Sequence, residues 1–134
     1  MTIKAGFALV ELMVVAIIVA ILAAVAVPLM MTNRDRAIAT EAQTGLGMVR
    51  NALNIYKVEN GQYPAAEQGK NLDNVLVLTV KSGELDGKYF KTDYYVLTTV
   101  TASNFVITAT CFTNSAAGRT VTIDEAGNWG GTLL

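Results

Sequence analysis

From Phe7 to Met31 the chain carries a single charge, Glu11, and the next one is Arg34. About 20 apolar residues span the roughly 30 Å core of a bilayer, so this stretch is long enough to cross one. It is apolar all round, the pattern of a helix surrounded by lipid or by other helices. In that setting backbone groups must bond within the segment, which leaves helix as its fold. Glu11 is the exception within it. An ionised group in hydrocarbon costs about 2.5–3.5 kcal/mol on insertion scales, so a chain that keeps one is expected to supply a partner. Pro28 lies late in the span. It lacks a backbone donor and crowds the carbonyl of Ala24, which predicts a kink or local melting there.

The remainder reads differently. At 134 residues the chain suggests one domain plus an appendage. Hydrophobic content is 52% and mean hydropathy +0.40, with the excess concentrated before residue 32. Net charge is −1 and there is no basic run, so no nucleic-acid footprint is present. Histidine is absent, which removes the commonest general base and metal ligand. With no paired carboxylates at useful spacing, no glycine-rich phosphate loop and no metal cluster, the sequence does not read as an enzyme and implies no cofactor. Cys111 is alone, so no intrachain disulfide forms. Its place on the apolar face of a strand predicts a core residue.

Helical periodicity continues past Arg34. Ile38, Ala42, Leu46, Val49, Leu53 and Tyr56 recur at spacings of four and three, and Ala52 and Ile55 widen the stripe. Arg34, Glu41, Arg50, Asn51, Asn54 and Lys57 fall on other faces. Gly45 and Gly47 weaken the helix by about 1 kcal/mol each, or else admit a close neighbour. Asn60-Gly61 is a stop, since both residues tolerate a left-handed backbone. A helix from Phe7 to Glu59 would be about 80 Å long, so much of it must project from the membrane and lie on something. The stretch from Gln62 to Lys91 is irregular; Leu72–Val80 reads as either a short helix or an extended piece. After Thr92 the period becomes two. Tyr94–Val100, Phe105–Phe112 and Arg119–Asp124 read as antiparallel strands, the first two joined as a hairpin by residues 101–104. Phe105, Ile107, Ala109 and Cys111 share the face expected to be core. The fold class is α+β: one long N-terminal helix, a transmembrane half followed by an amphipathic half, packed on a three- to four-stranded antiparallel sheet.

Gly6-Phe7-Ala-Leu-Val-Glu11 before a long apolar run resembles the processing site of type IV pilins and of the pseudopilins of type II secretion systems. Tyr56-Lys-Val-Glu-Asn-Gly-Gln-Tyr63-Pro64 resembles the helix end and loop of major pseudopilins and related pilins. The resemblance implies a leader of residues 1–6, cleavage between Gly6 and Phe7 by a membrane peptidase, and N-methylation of the new terminus on Phe7. It also implies a filament-core or transmembrane helix over 7–33 and a globular domain over 34–134 that includes the amphipathic helix 34–59. Pro28 falls where these families usually carry a proline. Glu11 would meet the freed amine of Phe7 on a neighbouring subunit during assembly, or on its own helix, where residues four apart share a face. The plain alternative is a polar residue near the interface end of the span. Expected partners are further copies of the chain in a helical filament, the prepilin peptidase and methyltransferase, inner-membrane assembly machinery with its ATPase, and the membrane itself. Location would be the inner membrane before assembly, then an extracellular pilus or a periplasmic pseudopilus.

The C-terminal third departs from both branches. Many pilins close a loop with two cysteines; this chain has one. Major pseudopilins often hold calcium near the C-terminus; here Asp124, Glu125 and Asn128 supply two carboxylates and an amide, few oxygens for a six- to eight-coordinate ion. A turn carrying two solvated acids is the favoured reading. Of the filament readings, the structural subunit of a type IV pilus, serving adhesion, motility or surface contact, stands first. The major pseudopilin of a type II secretion system is its alternative. A soluble secreted domain behind a conventional signal peptide, cut after Ala26, is remote because the apolar run contains Glu11 and continues into a helix the domain needs.

Overall fold

A computed structural model describes residues 2–113 and 116–134, with side chains from Phe7 onward. The expected leader, including Lys4 and Gly6, therefore lies outside the described side chains, and Met1 outside the described backbone. Two compact units divide the chain, residues 1–35 and 36–134. The helix α1, Thr2–Asn60, contributes to both.

The first unit is helix alone. Its side chains from Phe7 to Met31 are exposed all the way round, and α1 contains one stretch long and apolar enough to cross a membrane. The helix does not melt at Pro28. Pro28 cannot donate to the Ala24 carbonyl, while the hydroxyl of Thr32 donates to the Pro28 carbonyl at 3.1 Å.

The second unit is α1 from Arg36 onward on a four-stranded antiparallel sheet. The strands are β1 (Tyr95–Val100), β2 (Phe105–Thr110), β3 (Thr120–Asp124) and β4 (Trp129–Gly131), in that order across the sheet. The helical stripe buries as its spacing requires. Ile38, Ala42, Leu46, Val49 and Leu53 are fully buried, and they pack with the inward faces of the strands, including Phe105, Ile107 and Ala109. Ile55 does not widen that stripe: it is half exposed. Its angular position lies past Ala52, beyond the reach of the sheet. α1 ends at Asn60, where Gly61 takes a φ of 78° and its N–H bonds back to the Lys57 carbonyl at 2.8 Å.

The strand limits are trimmed relative to the sequence reading. β2 stops at Thr110 because the Cys111 N–H and carbonyl turn to Arg119 and Gly118. β4 was absent from the period-two runs, since two of its three residues are glycine and show no alternation. Leu72–Val80 is neither helix nor strand. It holds a single 3₁₀ turn, Leu72–Asn74, and places Leu72, Val75 and Leu78 in the core. Both sheet edges are blunted. Asn71 forms an isolated bridge to Val96, Leu97 exchanges backbone bonds with Gly69 and Lys70, and the Gln68 side chain accepts the Val100 N–H at 3.2 Å. The opposite edge, β4, is three residues long.

Candidate functional site

The expected assembly residues sit in the first unit. Phe7 is 71% exposed, and Glu11 is also exposed, four residues later on the same helix. Four residues are about one turn, so the two share a face. Among the described residues Glu11 has no ion pair and no hydrogen-bonding side-chain partner. The carboxylate therefore stands on an apolar cylinder with nothing in its own described chain to neutralise it. Around it, Leu9, Leu12, Met13 and Val15 are each more than half exposed. This surface can take lipid or other apolar helices, and the small residues Ala16, Ala20, Ala23, Ala24 and Ala26 permit close approach of such helices.

In the second unit the helix holds the loops through two charged side chains that the sequence reading placed on faces other than the apolar stripe. Glu41 Oε1 accepts the N–H groups of Tyr89 (2.8 Å) and Phe90 (3.0 Å), and its carboxyl lies close against Gly87. A side chain at position 87 would displace it. Arg50 Nη2 donates to the Glu125 carbonyl at 3.0 Å, and its guanidinium lies 3.2 Å from where a β-carbon on Gly127 would stand. The signal for both was present. Glu41 is three residues after Ile38, and Arg50 is four after Leu46 and three before Leu53. All three apolar residues are fully buried, so their helical neighbours border the core.

The two glycines of the helix have different reasons. A β-carbon at Gly45 would strike the hydroxyl of Tyr95 and come within 2.7 Å of Cζ, whereas nothing lies within 4 Å of Gly47. Gly45 thus lets the Tyr95 ring lie against the helix. Burial pushes the Tyr95 phenol above its usual value, and the negative charge of Glu41 adds to the shift.

The acidic segment after β3 is a tight turn. Asp124 Oδ1 accepts the Asn128 N–H at 2.8 Å, and Oδ2 accepts the Asn128 side-chain amide at 2.9 Å. These bonds, the side-chain one first, hold the Asp124 carboxyl below its ordinary range. The donor set does not fit a calcium ion. Both Asp124 oxygens are committed to the turn, and the adjoining Glu125 carbonyl is taken by a cationic guanidinium. Calcium needs oxygens free to converge, and a positive charge beside them opposes binding.

Cys111 is buried and free, with its sulfur 3.3 Å from the Thr113 hydroxyl. It sits among core residues, as its strand face predicted. Three aromatic pairs pack within the second unit: Tyr63 on Phe105, Phe90 near Tyr95, Tyr94 near Phe112.

Residues 29–100 match the family described as type II secretion system (T2SS), protein G. The chain is 33% identical over 138 aligned positions to the type II secretion system core protein G of Aeromonas hydrophila, an alignment that covers 94% of this chain and 92% of that protein. It is 35% identical over 91 residues to core protein G of Klebsiella michiganensis, covering 68% of this chain and 61% of the relative. With core protein G of Pseudomonas aeruginosa the match is 42% over 66 residues, 49% of this chain and 46% of that one. The chain thus spans 61% of one relative and about half of another, and nearly all of the Aeromonas protein. Among solved structures, the non-core minor pilin PilV of Neisseria meningitidis superposes with a TM-score of 0.52 at 19% identity, covering 75% of this chain and 89% of that one. That likeness shows a pilin fold. The relatives by sequence are secretion proteins, so the pseudopilin alternative has better support than the pilus reading placed first on sequence.

Proposed function

The chain belongs to the type II secretion system protein G family, and from that premise we propose that it is the major pseudopilin of such a system. It is a structural subunit. It waits in the inner membrane through residues 7–33, with the globular domain 34–134 on the periplasmic side, and is built by membrane machinery driven by an ATPase into a periplasmic filament of identical copies. The observation that carries this reading is the apolar helix from Phe7 to Met31, exposed on every side, with Glu11 inside it. Such a surface is unstable in water and has two satisfactory environments, lipid and copies of itself.

Hydrolysis of the Gly6–Phe7 peptide bond gives assembly its electrostatic term. It releases residues 1–6 and leaves an α-ammonium on Phe7, which stays charged when methylated. At 4 Å and an effective dielectric near 20, that charge and the Glu11 carboxylate attract by about 4 kcal/mol. Pairing between neighbours also removes the cost of an unmatched carboxylate when a subunit leaves the membrane. Pro28 then supplies a point where the helix of one copy bends past another.

The test is complementation of a secretion-competent cell lacking its own protein G. The wild-type chain restores export and a sheared periplasmic filament, and mass spectrometry finds its N-terminus at methylated Phe7. Glu11→Ala leaves the membrane-held pool intact and reduces polymer at least about tenfold, given the size of the lost pair. Normal polymer from that variant defeats the assembly role of Glu11. A mature chain beginning at Val27 defeats the pseudopilin reading in favour of a secreted soluble domain.

A further inference from the structure

A hollow of about 270 Å³ lies between the helix of the second unit and the 84–87 loop. Three carboxylates border it, Glu41 from the helix and Glu84 and Asp86 from the loop, with no lysine or arginine in its lining. Among the described residues none of these three has an ion-pair partner. Its floor is apolar, with Met48 and Leu85. The Tyr95 side chain reaches into the same hollow. Tyr95 is only 1% exposed, yet its hydroxyl has no hydrogen-bond partner among the described residues and lies over Gly45 at the hollow's edge. The hydroxyl oxygen is open to the hollow rather than sealed, so a donor from outside the chain can reach it.

A carboxylate rim, an apolar floor and an acceptor hydroxyl match the end of a lysine or arginine side chain, whose stem packs on apolar surface while its head is paired. A divalent cation fits poorly. Among the described residues no three acidic, histidine or cysteine side chains are grouped closely enough to hold one. Glu41 and Asp86 also have an oxygen each committed to backbone N–H groups. The chain carries a suitable donor in the same unit: Arg36 is exposed, with no ion pair among the described residues. Within one chain, Arg36 is one to three helical turns before Glu41 and Met48. Copies packed with parallel helices and an axial offset of about 8–18 Å would bring Arg36 of one copy level with this hollow on the next, at 1.5 Å per residue.

We infer that the hollow edged by Glu41, Glu84 and Tyr95 is a socket for the Arg36 guanidinium of a second copy of the chain. The inference rests on the polymer reading above and adds a contact between globular units to the one made by the apolar helices. It is tested by charge reversal in the same complementation cells, with sheared filament measured against the membrane-held pool. Arg36→Glu and Glu84→Arg each lower polymer by roughly tenfold or more, because each sets like charges face to face. The double variant restores it. Tyr95→Phe leaves the thermal midpoint of the full-length chain in detergent micelles unchanged, since no bond within the chain is lost, and lowers polymer about two- to tenfold. Single reversals that leave polymer at the wild-type level, or a double variant no better than its parents, overturn the socket. Polymer that dissolves on addition of EDTA while the reversals are silent overturns it in favour of a bound metal ion. If the wild-type chain itself forms no filament in these cells, the functional reading fails first and takes this inference with it.

Discussion

The two halves of α1 use hydrophobic side chains for opposite ends. From Phe7 to Met31 every described side chain faces outward. From Ile38 to Leu53, five large or small apolar residues are sealed completely against the chain's own sheet. One continuous helix therefore carries an apolar surface that the chain cannot cover and an apolar stripe that it covers fully. The difference is one of width. An all-round apolar cylinder needs partners on every side, and a single small domain has only one sheet face to offer. A stripe needs one partner, and the sheet is it. Hydrophobicity alone does not say what will cover a surface; its angular distribution does.

The sharpest way to break this contrast is to cut the same side chain in each half. Leu46→Ala opens a cavity in the packed unit and destabilises it by about 2.7–5 kcal/mol, read as a fall in the midpoint of the cooperative melt of the full chain in micelles. Leu22, 64% exposed, should leave that midpoint unmoved when changed to alanine. Equal shifts from the two would mean that the halves unfold as one body. A finer cut separates the two glycines of the second half. Gly45→Val drives into the Tyr95 ring and costs about 1–3 kcal/mol, whereas Gly47→Ala, with open space around it, stabilises the helix by roughly 0.5–1 kcal/mol. Opposite signs in the melting midpoint are the expected result. The last effect is alkaline. The Tyr95 phenol is raised above its ordinary value of 10.0, so its contribution is complete below that pH and is lost as pH climbs above it toward the raised folded value. Each unit of pH in that window removes at most about 1.4 kcal/mol. Melts between pH 9 and 11.5 should show this slope, and Tyr95→Phe should flatten it.

Much of this contrast was legible in the residues. The uninterrupted apolar run, the three-and-four spacing after it, the Asn60-Gly61 stop and the alternating face Phe105, Ile107, Ala109 and Cys111 each carry a local period or a local backbone preference. What escaped has no period. β4 contains two glycines, and its pairing with β3 is set by the Asp124–Asn128 turn. Leu72, Val75 and Leu78 reach the core from a loop, so neither helical nor strand spacing fits them. Glu41 and Arg50 carry a helical signal, one turn from buried residues, but their targets, the N–H groups of Tyr89 and Phe90 and the carbonyl of Glu125, are backbone atoms far along the chain that no residue type reveals. In the first unit, Phe7 and Glu11 were singled out by a motif. The hollow beneath Tyr95 depends on a ring, a glycine and a loop that meet only in space.

The blunted sheet edges carry a last implication. A chain gathered in many copies, as the proposed polymer requires, runs the hazard of growing by strand addition. Here one border is already occupied by residues 68–71, and the other offers three residues, two of them glycine. Neither offers a template for a foreign strand. Lateral growth through backbone pairing is thereby closed off, and in the polymer proposed above stacking would fall to contacts between side chains, which can be made and undone without unravelling any subunit.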